Sequence, residues 1–429
     1  MSVKTITTRE RAVSYQDIPK PTVIRRRLPD LLELARLIKL RPGKGNVTQR
    51  RLSQAHTIAD LRDQARRRVP RAVFDFVDGG AEDEITVQRT RAAFNRIEFQ
   101  PKVLAGLGTV DTSTSLFGCR MDLPLVLAPT GFSRICHYQG ERAAARAAAL
   151  SGVPFTLTTM ATVSIEDVAA VGGPAAVQWF QLYVMRDRGL TLELVQRAKA
   201  AGYNALVITV DTPVTGQRRK DLRSGFTVPP QITVDTILDI MRRPSWLFNM
   251  LTTEPLVFAT IPAGDPTAHA KFIDSVFDPN VTFSDIKPVR DAWDGPIILK
   301  GIQTLEDAKL ALEHGADGIV VSSHGGRQLD RTPVPLEILP AVADKLGDRL
   351  SILLDSGVRT GADLAAALAL GARACLVGRP YLYGLMAAGE EGVAKAINIY
   401  KSELKRTMHL LGVSKISDLS PKYAVLRPQ

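Results

Sequence analysis

Eight apolar runs of strand length, separated by Ala/Leu-rich helical segments, predict an α/β protein built as a (β/α)8 TIM barrel, with an N-terminal extension and a long insertion after strand four. The runs are Leu125–Pro129, Phe155–Thr159, Ala176–Tyr183, Ala205–Asp211, Pro296–Gly301, Gly318–Ser323, Ser351–Gly357 and Ala374–Pro380. They lack apolar–polar alternation, the mark of strands buried on both faces, and strict strand–helix alternation implies a parallel sheet. Eight such units over about 250 residues close a barrel. An open doubly wound sheet would carry a Gly-rich dinucleotide fingerprint after its first strand, whereas the first run leads into Ala128-Pro129-Thr130-Gly131-Phe132.

In chain order, residues 1–55 form a leader with one helix at Pro29–Leu40, ended by Arg41-Pro42-Gly43. The catalytic domain is expected over 56–429. Ser53–Val69 reads as one helix and Pro70–Asp83 as a second, short helix closed by glycine. Between the strands, Gly140–Ser151, Leu190–Ala201, Thr304–His314, Pro335–Lys345 and Gly361–Leu370 read as helices. The large departure from alternation is the insertion at 212–290, which carries Arg242-Arg243-Pro244-Ser245-Trp246-Leu247-Phe248-Asn249-Met250-Leu251. Long insertions at this end of a barrel serve as lids or partner surfaces. Arginines beside Trp, Leu, Phe and Met fit a segment lying on a membrane; a lid packed on the protein itself accounts for the same residues.

Composition narrows the class. With 429 residues, 45% of them hydrophobic, the chain can bury one large core. The formal net charge of +11 resides entirely in residues 1–70, which hold 17 basic and 6 acidic side chains. Such a leader suits an anionic surface or packs on a neighbouring subunit. Nucleic acid is not expected, because those residues offer a single aromatic, Tyr15, and no recognition motif. No run approaches the ~18 apolar residues of a membrane span, and no apolar signal region opens the chain. The expectation is a cytoplasmic protein, free or held peripherally on the inner face of the membrane. Cys119, Cys136 and Cys375 have no metal or redox spacing, so no metal is expected.

Barrel chemistry collects at the C-terminal strand ends. There the chain delivers Gln181 and Tyr183 from strand three, Thr209, Asp211 and Arg218 from strand four, and Lys300 from strand five. Strand six gives His324 and Arg327, strand seven Asp355, Gly357 and Arg359, strand eight Gly378 and Arg379. Four arginines and a lysine around one histidine describe a site for anions. The loops after strands seven and eight are the fold's usual phosphate site, which points to a phosphorylated cofactor. Lys300 can stabilise negative charge developing on a ring system. Arg218, Arg327 and His324 remain for a substrate carrying a carboxylate and losing a proton.

Several motifs then coincide in order: Gly79-Gly80-Ala81-Glu82-Asp83, Phe180-Gln181-Leu182-Tyr183, Thr209-Val210-Asp211-Thr212-Pro213, Leu299-Lys300-Gly301 and His324-Gly325-Gly326-Arg327-Gln328-Leu329-Asp330. From about Ser53 to about Leu419 the chain resembles the FMN-dependent L-2-hydroxy acid oxidases and dehydrogenases. Its insertion, with Arg242–Trp246 and Phe277-Asp278-Pro279, is most similar to that of bacterial respiratory L-lactate dehydrogenases, which pass electrons to quinone. The resemblance implies FMN as cofactor, a homotetramer, His324 as base and Asp211 as its carboxylate partner. Arg218 and Arg327 would grip the substrate carboxylate, Tyr183 would hydrogen-bond the substrate, and Lys300 would face the flavin N1/C2 edge. Pro129, Thr130, Gly131, Thr158, Gln181, Thr209 and Ser322 would contact the flavin, while Asp355, Gly357, Arg359, Gly378 and Arg379 would hold the ribityl and phosphate groups.

Two positions depart from the family's pattern. Phe76 stands where a substrate-contacting tyrosine is usual, which implies a longer or more apolar substrate side chain than that of lactate. Gly131 stands where many oxidases have alanine, which leaves more room and favours a dehydrogenase over an oxygen-using oxidase. A relative acting on a bulky or peptide-derived substrate fits the same residues. Another FMN barrel enzyme would lack the His324/Arg327 pair, and a non-catalytic membrane-attached binding protein would not be yellow.

Overall fold

The computed structural model describes residues 46–225, 234–260 and 276–428. The chain divides into Met1–Asn46 and a compact unit, Val47–Gln429. The helix expected at Pro29–Leu40 lies outside the described residues. The compact unit starts earlier than the boundary at 55 read from the sequence, because Leu52 and Ala55 are already buried in its core.

Eight strands close the barrel: β1 (Leu125–Leu127), β2 (Phe155–Thr158), β3 (Gln178–Leu182), β4 (Ala205–Thr209), β5 (Ile297–Ile302), β6 (Gly318–Val321), β7 (Ser351–Leu354) and β8 (Ala374–Val377). They pair in parallel in chain order, and β8 returns to β1. Every predicted strand is present. Most run one to three residues past the observed C-terminal end, since the chain leaves the ladder there to turn into the cavity. The extreme case is Arg379-Pro380, which belongs to the helix Arg379–Leu411, with proline in the first turn where its missing N–H costs nothing.

The interior is layered by the two-residue period of the strands. Val126, Trp179, Val207, Ile298, Val320, Leu353 and Leu376 form one apolar cluster inside the barrel. The hairpin Thr114–Leu116/Cys119–Met121 closes its N-terminal mouth, with Phe117 edge-on to Trp179 at 6.1 Å. Two residues further along the strands the inward positions turn polar, as Gln181, Thr209, Lys300, Ser322 and Asp355. Thus the period that fills the core also aims the polar set at one end. Between β5 and β6 the register shifts at Lys300/Ile302 around Gly301 (φ 111°). A β-carbon there would stand 2.5 Å from Asp211 Cγ, so only glycine lets that carboxylate settle behind the strand ends.

Outside the barrel, the helix expected over Ser53–Val69 is found at Ile58–Arg68, preceded by a separate helix, Val47–Ser53. A reciprocal capping box between Thr57 and Asp60 starts Ile58–Arg68 and separates the two. Helix Arg71–Asp78 follows and ends at Gly79. The insertion contains Arg219–Ser224, Val234–Met241 and Pro244–Thr252. Among the described residues no helix is long and apolar enough to cross a membrane.

Candidate active site

One cavity of about 480 Å³ opens at the C-terminal end of the barrel. Of the residues selected from the sequence, it brings together Phe76, Pro129, Thr130, Gly131, Thr158, Gln181, Tyr183, Thr209, Arg218, Lys300, His324, Arg327, Asp355, Gly357, Arg359, Gly378 and Arg379. Two selected residues are not on its wall. Asp211 and Ser322 sit one layer behind, 5% and 0% exposed, where they brace the residues that are.

His324 occupies the left-handed region (φ 53°), which costs a residue with a β-carbon roughly 1–2 kcal/mol. The backbone is held there by its N–H on Ser322 Oγ at 2.9 Å and by the N–H groups of Ser323 and Gly325 on Ser356 Oγ, at 3.2 and 3.0 Å. Its Nδ1 lies 2.9 Å from Asp211 Oδ1. Because a carboxylate only accepts, Nδ1 carries the proton, and Nε2 is the basic nitrogen available to a substrate. Burial works against the Asp211 carboxylate, but His324, its hydrogen bond and Lys300 outweigh it and hold the group below the usual carboxylate range. The second oxygen, Oδ2, is buried without a hydrogen-bond partner.

Lys300, 4% exposed, sits 3.1 Å from Asp355 Oδ2 and 3.3 Å from Ser322 Oγ. Burial pulls its ammonium down, yet Asp355 and Asp211 more than compensate and hold it above the ordinary lysine value. The cation is therefore fixed in the barrel axis next to the cavity, where an unpaired one would carry a desolvation penalty of several kcal/mol.

The arginines differ in use. Arg327 donates through Nη1 to the carbonyls of Phe76 (2.6 Å) and Gly79 (3.0 Å), which leaves Nε and Nη2 for an incoming carboxylate. Arg218 gives Nε to Asp221 at 2.6 Å and keeps its two terminal nitrogens. Both guanidinium carbons lie over the ring of Phe76, at 5.8 Å for Arg218 and 5.1 Å for Arg327. Phe76 is thus a platform for two cations rather than only a missing hydroxyl. Burial first, then Arg218 and Arg379, push the Arg327 guanidinium down to about 9, a stress that a bound carboxylate relieves. Burial and Asp211 raise the Tyr183 hydroxyl, so it stays a neutral donor. Arg379, also on the cavity wall, donates Nε to the Val77 carbonyl, Nη1 to that of Gly325 and Nη2 to that of Gly79, at 3.0, 2.7 and 2.7 Å, and keeps one N–H on each terminal nitrogen.

The sequence of residues 65–426 matches the model of the FMN-dependent dehydrogenases. The chain belongs to the FMN-dependent dehydrogenase family. It is 48% identical over 400 residues to a putative L-lactate dehydrogenase of Mycobacterium tuberculosis, covering 93% of this chain and 96% of the relative. It is 43% identical over 367 residues to an L-lactate dehydrogenase of Caulobacter vibrioides, covering 84% and 95%. Among solved structures it matches a monotopic membrane protein, (S)-mandelate dehydrogenase, with a TM-score of 0.84 at 35% identity, over 87% of this chain and all of that one. A mandelate oxidase matches with a TM-score of 0.76 at 37% identity, over 87% and 99%.

The cavity of this FMN-dependent dehydrogenase fits its family's cofactor on independent grounds. Gln181 Oε1 accepts from Thr158 Oγ1 at 2.5 Å, while its Nε2, buried at the cavity wall, has no protein partner. An amide donor left unmet by the protein is costly unless a ligand accepts from it. Gly357 (φ 84°) and Gly378 place backbone at the ends of β7 and β8, with Arg359 adjacent. Sequence reasoning did not select Phe132, Met160, Phe258 and Phe277, which also line the cavity. Phe277 meets Tyr183 edge-on at 5.4 Å, and Phe132 meets Phe258 at 5.3 Å. Phe258 and Phe277 come from the insertion, and Phe132 directly follows Gly131, a signal that was available.

Proposed function

We propose that this enzyme oxidises an L-2-hydroxy acid, L-lactate or a longer analogue, to the 2-oxo acid and passes the electrons to quinone. The observation that carries the reading is the His324–Asp211 pair facing a cavity with two arginines that keep unused guanidinium nitrogens. Arg218 and Arg327 hold the substrate carboxylate, each charge-assisted bond being worth about 1.5–3 kcal/mol. Tyr183 donates to the substrate oxygen. His324 Nε2 accepts the proton that oxidation of the alcohol releases, and Asp211 stabilises the resulting imidazolium. FMN, when bound, supplies the two-electron acceptor. Lys300 presents fixed positive charge to it, and Gln181, Thr158, Thr209 and the Pro129–Gly131 backbone hold its ring while Asp355, Gly357 and Arg359 hold the remainder.

L-Lactate dehydrogenases among the relatives support lactate as substrate. The aromatic lining and Phe76 support tolerance of larger apolar side chains. Peripheral membrane attachment through the insertion is supported by the outward apolar residues of Val234–Met241 and Pro244–Thr252, and by likeness to a monotopic membrane protein. A homotetramer rests on family resemblance and is checked by light scattering. The central test is anaerobic flavin bleaching with a panel of L-2-hydroxy acids, followed by reoxidation with a quinone analogue or with air. Bleaching by L-lactate and faster reoxidation by quinone are expected. Rapid reoxidation by air with none by quinone would instead make it an oxidase.

A further inference from the structure

A buried cation that the reaction does not use joins the insertion to the loops facing the flavin. Arg134 lies three residues beyond Gly131, in the short turn Ser133–Ile135, with 3% of its side chain exposed. Its guanidinium donates to the main-chain carbonyls of Glu254 (2.5 Å) and Pro255 (3.1 Å) in the insertion, and to that of Tyr138 (3.3 Å). The Glu254 carboxylate is 3.8 Å away and 70% exposed, so the carbonyls, not an ion pair, hold the charge. A guanidinium is tolerated out of water only where its donors are used. The two bonds to Glu254 and Pro255 therefore tie the return limb of the insertion to this turn.

Other bonds run the same way. Trp246 Nε1 donates to the Ile135 carbonyl at 2.8 Å, and the Ala259 N–H to that of Ala161 at 3.0 Å. From beneath, the buried carboxyl of Glu141 takes the N–H of Thr162 at 2.9 Å and that of Ser133 at 3.3 Å. The loops after β1 and β2 are thus locked to each other below and to the insertion above. Between the two locks lie Gly131 and Met160, both on the cavity wall, with the Phe132 N–H on the Met160 carbonyl at 3.0 Å.

We propose that Arg134 is a positioning residue that sets the flavin-facing loops against the insertion, so that displacement of the insertion is read at the flavin. This rests on FMN lying against Pro129–Gly131. It does not depend on which hydroxy acid is oxidised, so failure of L-lactate to bleach the flavin would count against the proposed substrate and leave these measurements intact.

The test removes FMN and measures its return to the apoprotein by fluorescence quenching, alongside proteolytic nicking of the insertion. Arg134→Gln is expected to weaken FMN binding about tenfold and speed nicking. Arg134→Lys, which keeps a charged donor, should restore affinity to within about threefold of wild type. The KM for whichever L-2-hydroxy acid bleaches the flavin should change less than twofold, since Arg218 and Arg327 stand on other strand ends. Faster nicking with FMN affinity within twofold of wild type would overturn the proposal, as would unchanged nicking and affinity together. Should Arg134→Gln not fold, Trp246→Phe, which removes only the indole donor, carries the same decision: weaker FMN binding supports the link, and unchanged binding overturns it.

Discussion

Two loops leave the same end of the barrel and solve opposite problems. The loop after β6 is short and almost every polar group in it is committed. Ser322 and Ser356 hold the backbone around His324, the Gly326 carbonyl accepts from Ala81, and Asp330 caps the helix Ile85–Asn95 through Ile85 and Thr86. The insertion after β4 is anchored inward by Trp246 yet turns Phe248 and Leu251 outward, 66% and 75% exposed, with Ile237, Leu238 and Met241 on the preceding helix. A loop whose backbone is tied at this many points can hold His324 in its left-handed conformation. An insertion that leaves apolar side chains in water is built to meet another surface.

Substitutions separate the two. In the stiff loop, His324→Gln should lower kcat by about 10³-fold while the flavin spectrum is retained, because only the base is lost; stopped-flow reduction measures it, and a loss below tenfold would remove His324 from its role. In the insertion, Phe248→Ser with Leu251→Ser should weaken binding to phospholipid vesicles roughly 10²-fold. Turnover with a water-soluble acceptor should stay within twofold of wild type, and parallel losses of both would erase the contrast.

The rigid side extends behind Phe76. There burial acts to raise the Asp78 carboxyl, but hydrogen bonds from Arg62 and Tyr383 prevail and hold it at about 2. With the folded value below the unfolded one, near 3.9, this stabilisation is complete above about pH 4 and lost as pH falls towards 2. Asp78→Asn should therefore cost roughly 2 kcal/mol at neutral pH, shrinking to little near pH 2, as followed by denaturant titration. The smallest effect belongs to Phe76→Tyr. A restored neutral hydrogen bond is worth about 0.5–1.5 kcal/mol, so kcat/KM for L-lactate relative to a longer L-2-hydroxy acid should rise up to about tenfold. An unchanged chain-length profile would relieve Phe76 of that influence.

How far each region could be read from sequence follows the same division. The strands were legible because unbroken apolar runs need burial on both faces. The cavity wall was legible because most of its polar residues fall within a few positions of a strand end, as His324 does after Val321 and Asp355 after Leu354. Depth was not: Ser322 and Asp211 share the motifs of their neighbours, and only packing puts them behind the wall. The allotment of cations was equally hidden. Arg379 and Arg327 look alike in sequence, and only the structure shows which carbonyls each one braces: Val77, Gly79 and Gly325 for the first, Phe76 and Gly79 for the second. Phe258 and Phe277 reach the cavity through a long-range fold-back that no local pattern announces. The break at Thr57 was readable, since Thr57-Ile58-Ala59-Asp60 is a capping-box pattern.

Gly131 carries a consequence for how this chain can change. The sequence reading is that glycine here leaves more room than the alanine of many oxidases, and the structure shows where that room lies. A β-carbon at 131 would stand 3.0 Å from Met160 Cβ and 3.3 Å from the Met160 carbonyl oxygen. A methyl group at this position therefore presses on the neighbouring strand end. The crowding atoms are the Cβ and main chain of residue 160, which almost every side chain shares, so alanine at 131 is accommodated only if the two loops shift apart by a few tenths of an ångström, whatever residue stands at 160.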